Sequence, residues 1–441
     1  MSAPMLRVAS VLRTEGVHGL AERLRERWDE RRRRRSFRAA TESTLREAAR
    51  DLAVVNILPF SLDPSNGGVA IALAARLDSE RHRRPVALLA PGPRGWRLEL
   101  ETPARRLVLR AGESFEGALT LACEILPRAV LHFENLAGLD PDLVAGKTRD
   151  RAVVLSAHDF ALFCPRPNLV ERTTGFFCGF CRDRPRCAHC LAAADGTVEA
   201  HRSGASRLAA AAIAIVHPSD WSRERHLELF PELRSGSQAV IAPASGADPG
   251  AAADPPRWPP QHVAFVGQAA PHKGIDTFLA AAGRLRARHP GVRWSVLGGV
   301  GPSHAAQLRR LGVEALGYYR ARTLGDRLRR SAIDLAVLPS RFPETYSLVL
   351  DDCSRSGVPV VSAAIGALGP RTRALSAGWT FDPAGGVDAL VSTLDALLSG
   401  EATSRAPATA AVASVARSAE LHLELYERLG SGSVPRASGA G

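Results

Sequence analysis

Apolar runs alternate with amphipathic stretches along most of the chain. Short runs such as 52–60 and 333–338 have the length and the aliphatic composition of buried strands. The stretch 66–80 begins with an Asn-Gly-Gly turn and continues with apolar residues at helical spacing. This alternation predicts an α/β fold in which parallel, doubly wound sheets are covered by helices.

A Pro-, Gly- and Ala-rich segment interrupts the alternation, after which the pattern starts again. We therefore expect two Rossmann-like domains that face each other across a cleft, with ligands at the carboxyl ends of the strands. The predicted divisions are a basic N-terminal extension at 1–50, an N-terminal domain at 51–245, a linker at 246–260, a C-terminal domain at 261–402, and a C-terminal helix with a flexible tail at 403–441.

The amino-acid composition supports this organisation and also predicts where in the cell the protein is found. The 441 residues are 45% apolar, which is enough to build a core in each domain. No apolar run reaches the length of a membrane span, and the N-terminus lacks the apolar segment of a secretory signal. We therefore expect a cytoplasmic protein whose seven cysteines are thiols or metal ligands.

The net charge of +12 is concentrated near the N-terminus, where the first fifty residues hold thirteen arginines and seven acids. Val17, Leu20, Leu24 and Trp28 recur there at helical spacing, which suggests a basic amphipathic helix. A solvated or disordered tail, a segment that binds an anionic membrane surface, and a nucleic-acid arm are the three interpretations. No aromatic or zinc-finger pattern accompanies the arginines, so no specific nucleic-acid partner is expected.

The stretch PETYSLVLDD, residues 343–352, follows a buried strand and places Glu344 in a loop and Asp352 in the next helix. A helix that begins near Tyr346 would leave the N–H groups of Thr345–Leu348 free to bind phosphate. Carboxylates on either side would suit hydroxyl groups instead. A ligand with phosphate in the middle and hydroxyls at both ends is a nucleotide sugar. The alternative interpretation is that Glu344 and Asp352 are simply solvated acids at the surface.

These residues resemble those of the retaining glycosyltransferases of family 4, which have the GT-B fold. The similar motifs in the second half are VGQAAPHKG (Val266–Gly274), ETYSLVLDD (Glu344–Asp352) and SGVPVVSAAIGALGPR, which ends at Arg371. The first half contributes the similar stretches NGGVAIALAARL and AHD. The resemblance extends over about residues 52–400 and is stronger in the second half.

The resemblance implies catalytic roles for three side chains. Lys273 would neutralise the donor diphosphate, Glu344 would hold hydroxyls of the transferred sugar, and His158 would lie on the acceptor side. It also implies retention of configuration and catalysis without a required cofactor, because Lys273 and a helix N-terminus would stabilise the leaving group.

The resemblance also implies a set of donor-binding residues. Asp352 would bind the ribose hydroxyls, and the two glycines would let a loop approach the donor without obstruction by a Cβ atom. The complete donor-binding set is Thr345, Tyr346, Ser347, Leu348, Asp352, Gly67, Gly68 and Gln268.

Two positions depart from the family pattern. Gln268 replaces an arginine that binds the diphosphate, and the second acid is the shorter Asp352. His272, Arg341 and Arg371 are candidates to replace the missing cation. Without such a replacement the site would bind its donor weakly or be inactive.

A cysteine-rich insert at 164–190 contains two C-x-x-C pairs. Such pairs predict a structural zinc site of four thiolates, with an iron–sulfur cluster or free thiols as the alternatives. The candidate ligands are four of the five residues Cys164, Cys178, Cys181, Cys187 and Cys190. A similar insert in a branch of bacterial family 4 enzymes implies the set that omits Cys181.

Taken together, the residues and the resemblance predict a hexosyltransferase of the retaining type. It would move a sugar from a nucleotide-sugar donor to a glycan or lipid-linked acceptor in bacterial surface polysaccharide synthesis. The basic N-terminus would hold it at the inner face of the membrane. The alternatives are a nucleotide-sugar epimerase and a basic, zinc-stapled binding protein with a catalytically dead cleft.

Overall fold

The computed structural model describes residues 3–50, 52–194, 196–245, 256–401 and 412–430. The chain divides into two compact units. One, the first-sheet unit, comprises Glu30–Thr173, Cys178–Ala244 and Ala413–Gly441. The other, the second-sheet unit, comprises Met1–Asp29, Thr174–Phe177 and Ser245–Val412.

Fifteen strands and fifteen α-helices are formed by the described residues. The strands are β1 Arg38–Ala39, β2 Val54–Ile57, β3 Val86–Gly92, β4 Gly95–Glu101, β5 Arg106–Gly112, β6 Val130–Phe133, β7 Val153–Ser156, β8 Ala214–His217, β9 Ser237–Val240, β10 His262–Val266, β11 Arg293–Leu297, β12 Glu314–Gly317, β13 Leu335–Leu338, β14 Val360–Ala363 and β15 Gly378–Phe381. The helices are α1 Ala3–Arg35, α2 Glu42–Ala48, α3 Gly68–Glu80, α4 Phe115–Ile125, α5 Pro141–Lys147, α6 Arg184–Leu191, α7 Thr197–Ala211, α8 Asp220–Leu229, α9 Ile275–Leu285, α10 Pro302–Leu311, α11 Leu324–Arg330, α12 Leu348–Arg355, α13 Leu368–Arg373, α14 Gly386–Leu398 and α15 Val415–Gly430.

The first sheet has nine strands in the order β1-β5-β4-β3-β2-β6-β7-β8-β9. Its central strands are parallel, and β2 and β7 are buried along their whole length. The strand β4 runs antiparallel to both β3 and β5, which departs from the predicted parallel sheet. The reason is the short turn between Gly92 and Gly95, because a parallel return would need a crossover.

The second sheet has six parallel strands in the order β12-β11-β10-β13-β14-β15. The chain runs outward from β10 to β12 and then returns to form β13 beside β10. The direction of winding therefore reverses between β10 and β13. This reversal is where open parallel sheets bind ligands, beyond the carboxyl ends of the strands.

Several predicted elements differ from the observed ones. Residues Ala3–Arg35 form a continuous helix, so the expectation of a disordered basic tail is wrong for them. Helix α12 begins at Leu348 rather than near Tyr346, because Ser347 adopts a left-handed φ of 96°. Helix α15 also groups with the first-sheet unit, where it packs on α3.

Two predicted segments lie largely or partly outside the described residues. These are the linker at 246–260, of which 246–255 are not described, and the C-terminal segment at 403–441, of which 403–411 and 431–441 are not described. Within the described ranges, none of the helices has the length and apolar character to cross a membrane.

Candidate functional site

The loop after β10 is held against the end of β13 at the reversal point of the second sheet. Gly274 ends this loop with a φ of 80°, and a Cβ atom there would lie 1.8 Å from the Pro339 carbonyl oxygen. Only glycine fits so close an approach of two backbones. The contact carries Lys273, the residue before Gly274, to the end of β13.

Lys273 and Glu344 form an ion pair at this edge of the sheet. The Lys273 Nζ atom donates to the Glu344 Oε1 atom at 3.0 Å, and the Ser340 hydroxyl donates to the same oxygen at 2.9 Å. Burial would raise the pKa of Glu344, but the Lys273 ammonium and the Ser340 hydroxyl hold it below its ordinary value. Glu344 is therefore a carboxylate that accepts hydrogen bonds at neutral pH.

The backbone of Glu344 is fixed from the other side by the loop after β14. Ala367 donates its N–H to the Glu344 carbonyl at 2.7 Å. A Cβ atom at Gly366 would lie within 2.6 Å of the Glu344 nitrogen and carbonyl oxygen. The loops after β10, β13 and β14 therefore meet at Glu344. This arrangement is expected of a ligand-binding site rather than of a solvated surface acid.

The residues between Glu344 and α12 form a strained turn. Ser347, a residue with a side chain, adopts a φ of 96° immediately before the first residue of the helix, Leu348. The free N–H groups of the helix therefore begin at Leu348, whereas we had expected them from Thr345. The Thr345 and Tyr346 side chains are buried, and the Tyr346 hydroxyl donates to Asp351 at 2.7 Å.

Asp352 lies in the second turn of α12 and is buried. Its carboxylate accepts hydrogen bonds from the Ser245 hydroxyl at 2.8 Å and from the Arg355 guanidinium. Burial raises the pKa of Asp352 to about 6 although the Arg355 guanidinium opposes this change. The carboxyl group therefore titrates close to the physiological range.

The candidates His272, Arg341 and Arg371 do not supply a replacement for the arginine that is missing at Gln268. Gln268 is exposed. Arg371 donates to the Tyr346 carbonyl at 2.9 Å and to the Asp351 carboxylate, and Arg341 donates to a threonine hydroxyl. Burial and the adjacent Lys273 ammonium lower the pKa of His272, so its ring is neutral at pH 7.

The first-sheet unit holds the predicted acceptor-side histidine. His158 follows β7, and its Nε2 atom lies 3.8 Å from the Glu134 Oε2 atom. Glu134 follows β6, is buried, and accepts a hydrogen bond from the Arg76 guanidinium. Burial would raise the pKa of Glu134, but Arg76, His132 and His158 hold it well below its ordinary value.

Helix α15 completes this polar network. The Tyr426 hydroxyl lies 2.6 Å from the His132 Nδ1 atom and 3.2 Å from an Arg76 nitrogen. The His132 Nε2 atom lies 2.8 Å from the Ser156 hydroxyl, so both ring nitrogens are engaged. Burial lowers the pKa of His132 to about 3, which leaves its ring neutral.

Gly67 and Gly68 lie at the exposed start of α3. Gly67 has a φ of 92°, and a Cβ atom there would meet no heavy atom within 4 Å. The left-handed conformation therefore explains the glycine without any steric contact inside the chain. The space in front of it is open to a ligand.

The five cysteines of the insert share one small cavity, whose lining includes Cys164, Cys178, Cys181, Cys187 and Cys190. Burial raises the pKa of the Cys164 thiol, so this thiol is protonated without a metal. Across the described ranges, no three His, Cys, Asp or Glu side chains are arranged to hold a metal ion. The geometry thus does not support the predicted zinc site, and the four-ligand set stays a prediction.

Two residues of these sites were missed from the sequence. Glu134 is an acid directly after a buried strand, the same signal that marked Glu344 after the apolar run of β13. Ser340 lies at the end of that run. Their signals were weak because an acid or a serine after a strand is common, and only the fold shows that they meet His158 and Glu344.

A family model described as "Glycosyl transferases group 1" matches residues 260–400. The match therefore covers the second sheet, the Lys273–Glu344 pair and Asp352. It does not include the first-sheet unit.

Curated relatives are similar over the same part of the chain. A "D-inositol 3-phosphate glycosyltransferase" of Paenarthrobacter aurescens is 32% identical over 192 residues, which are 40% of this chain and 46% of the relative. The protein of the same name from Rhodococcus opacus is 34% identical over 131 residues, 27% of this chain and 29% of the relative. The chain thus matches less than half the length of these relatives.

Solved structures resemble nearly the whole chain. The sucrose-phosphate synthase of Thermosynechococcus elongatus superposes with a TM-score of 0.57 at 17% identity, covering 86% of this chain and 99% of that one. The Anabaena protein HepE, solved with UDP and glucose, gives a TM-score of 0.55 at 15% identity and covers 86% of this chain and all of that one. The chain therefore has the GT-B fold, and its residues 260–400 form a glycosyl transferases group 1 domain.

Proposed function

We propose that this protein is a glycosyltransferase that moves a sugar from a nucleotide-sugar donor to an acceptor hydroxyl. The observation that carries the proposal is the Lys273–Glu344 pair, placed before the start of α12 at the reversal point of the second sheet. A cation and a helix N-terminus suit a diphosphate, and a carboxylate beside them suits sugar hydroxyls. The family match over the same residues supports this assignment.

The proposed chemistry uses the hydrogen-bonding capacity of Lys273. An ammonium group has three N–H donors, of which one meets Glu344 in this structure. The other two can meet oxygens of the diphosphate as the bond to the sugar breaks and charge develops on the leaving group. The N–H groups that begin at Leu348 add donors to the same anion, so this chain's own groups stabilise the departing nucleotide.

The remaining roles follow from the chemistry of each residue. In its carboxylate form, Asp352 accepts hydrogen bonds from the ribose hydroxyls. Gly67 and Gly68 leave room for the donor. Gln268 donates a neutral hydrogen bond to the diphosphate, to which a cation would bind more strongly. His158 accepts a hydrogen bond from the acceptor hydroxyl or orients this hydroxyl. In this assignment Glu134 is a positioning residue, since its carboxylate holds the imidazole of His158.

We also propose that the anomeric configuration of the sugar is retained. The support is the resemblance of the donor motifs to those of retaining enzymes. NMR of the anomeric proton in the first product tests this: the same configuration as in the donor is expected, and inversion would contradict it.

Donor and acceptor are proposed at the level of chemical class. Structural neighbours were solved with UDP and with UDP-glucose, so a uridine diphosphate sugar is the first donor to test. The curated relatives carry the name of an inositol phosphate glycosyltransferase, which makes a polyol phosphate the first soluble acceptor to test. We propose a lipid-linked glycan at the cytoplasmic face of the membrane, in bacterial surface polysaccharide synthesis, as the acceptor in the cell.

Structural zinc in the insert remains a proposal that rests on the cysteine spacing in the sequence. The alternatives of an iron–sulfur cluster and free thiols lead to different metal contents. Elemental analysis of the purified protein is expected to find one zinc per chain, lost on replacing Cys178 and Cys190 by serine. A folded protein with no metal would overturn the proposal.

A second candidate function is a binding protein with an inactive cleft. The exposed neutral Gln268 favours it, because the diphosphate site then has one cation fewer. A thermal-shift panel of UDP, GDP, ADP, CMP and dTDP separates the two functions. A nucleotide at about a hundred times its Kd should stabilise the fold by about 2.7 kcal/mol. One clear shift is expected, whereas no shift with any of them would favour the binding protein.

A further inference from the structure

One side of the N-terminal helix α1 carries acids that contact residues just after β12 within the second-sheet unit, to which Met1–Asp29 belong. Arg320, just after β12, donates to Glu22 at 2.7 Å and to Asp29 at 2.9 Å. The Tyr318 hydroxyl donates to Glu26 at 2.6 Å. These acids recur at helical spacing and therefore share one side of the helix.

Close backbone packing fixes the same side. A Cβ atom at Gly317 would lie 2.5 Å from the Glu15 carbonyl oxygen, and one at Gly19 would lie 3.2 Å from the Tyr318 nitrogen. The Glu15 carboxylate is buried and accepts two hydrogen bonds from Arg23. The rotation of α1 about its own axis is thereby determined.

Three apolar residues of α1 lie on the side opposite this contact. Val17, Leu24 and Trp28 are 77%, 52% and 59% exposed. Their spacing of seven and then four residues puts them in one row along the helix. An exposed apolar row of this kind on an otherwise polar helix is a surface on which another molecule can dock.

Arginines accompany this apolar row. Arg31 and Arg35 follow Trp28 by three and seven residues, so they continue the row, and Arg27 lies beside it. All three side chains are exposed. The outer side of α1 thus combines two aliphatic residues, a tryptophan and several positive charges.

We propose that this side of α1 docks on an anionic membrane surface. It consists of Val17, Leu24, Trp28, Arg27, Arg31 and Arg35. Apolar side chains with arginines beside them match the acyl boundary and the negative headgroups of such a surface, and tryptophan prefers this interface. The inference rests on the proposed function only for the location, the cytoplasmic face where a lipid-linked acceptor would lie. A nucleic acid offers phosphates for the arginines but no apolar layer for the exposed row.

Vesicle flotation tests the surface with phosphatidylcholine vesicles that contain or lack phosphatidylglycerol. The full-length protein is expected to float with the anionic vesicles and to remain behind with the neutral ones. Leu24→Gln combined with Trp28→Gln should weaken binding about tenfold. Each of Arg31→Gln and Arg35→Gln should weaken it about fivefold.

Matched controls change exposed residues outside α1. Phe176→Gln removes an exposed aromatic ring, and Arg309→Gln with Arg310→Gln removes two exposed charges of α10. These variants should float like the wild type. All variants should keep the melting temperature and the nucleotide response of the wild type in the absence of vesicles, so a failure of the proposed function is recognised separately.

Three results would overturn the proposal. They are equal binding to neutral and anionic vesicles, unchanged flotation of the α1 variants, and tighter binding to a duplex oligonucleotide that depends on the arginines but not on Leu24 and Trp28. The last result would assign the surface to a polyanion.

Discussion

Lys273 is one of only two lysines in the sequence, and the other, Lys147, forms an ion pair with Glu116 within the first-sheet unit. Replacing Lys273 by alanine removes the cation that we propose stabilises the developing charge of the leaving group. We expect kcat to fall about a hundredfold to a thousandfold, as when one preorganised donor is removed. Lys147→Ala should keep the wild-type kcat, measured as release of the nucleoside diphosphate.

The two lysine variants should also differ little in melting temperature. If Lys273→Ala kept the wild-type kcat, the ion pair with Glu344 would be structural and the proposed role of Lys273 would be wrong.

Asp352 provides a prediction about pH. Its pKa of about 6 means that the carboxylate, the form that accepts from ribose hydroxyls, is populated above pH 6. Nucleotide affinity should therefore rise between about pH 5 and pH 7, and Asp352→Asn should bind more weakly with little dependence on pH. Isothermal titration at several pH values measures both.

The raised pKa of Asp352 makes the free energy of unfolding change with pH in the opposite direction to the nucleotide affinity. The folded state holds this proton more tightly than the unfolded chain, so this group lowers the free energy of unfolding as the pH rises through about 4 to 6. If the nucleotide affinity of the wild type did not change between about pH 5 and pH 7, Asp352 would not bind the ribose.

At the scale of elements, α15 packs on the first sheet through apolar residues such as Leu425 and also places the Tyr426 hydroxyl in the buried polar network. Tyr426→Phe leaves the buried His132 Nδ1 atom and an Arg76 nitrogen without that partner. We expect the free energy of unfolding to fall by about 1–3 kcal/mol, measured by urea denaturation. Tyr319→Phe is the matched control, because the described residues give its hydroxyl no hydrogen bond, and it should change stability by less than about 0.5 kcal/mol.

An equal loss in the two tyrosine variants would show that the hydroxyl of Tyr426 does not hold α15 in place. A normal stability of Tyr426→Phe would have the same meaning.

The elements also show what the sequence pattern could and could not predict. Buried parallel strands such as β7 and β13 were predictable because their apolar runs are continuous. The antiparallel strand β4 was missed because it follows a two-residue turn within an irregular pattern. The start of α12 was misplaced by two residues because the left-handed φ of Ser347 leaves no compositional signal.

The candidate site was predictable to a similar degree. Glu344 and Asp352 were singled out because they follow a buried strand, and Lys273 because its motif resembles that of the family 4 glycosyltransferases. Ser245, the partner of Asp352, could not be found because the two residues are distant in sequence, and Ser340, four residues before Glu344, could not because a serine after a strand is common. The same holds for Glu134 beside His158.

For the whole molecule, the sequence predicts a nucleotide-binding second half and a basic N-terminus, and the structure shows that the latter is a helix. The positive charges lie on a helix whose acids are directed inward to Arg320 and Tyr318. Pattern alone could not show this, because acidic and apolar residues of α1 are both at helical spacing. Only the packed partner shows which side is buried.

Glycosyl transfer from a nucleotide sugar is tested most directly by turnover of the wild type and of Glu344→Gln. The measurement is nucleoside diphosphate release from sugars of the nucleotide that stabilises the protein, with a polyol phosphate or lipid-linked acceptor present. We expect turnover by the wild type and a loss of about a hundredfold to a thousandfold in Glu344→Gln, with nucleotide affinity unchanged. Equal turnover by both proteins, or nucleotide binding without turnover of any donor, would contradict the account.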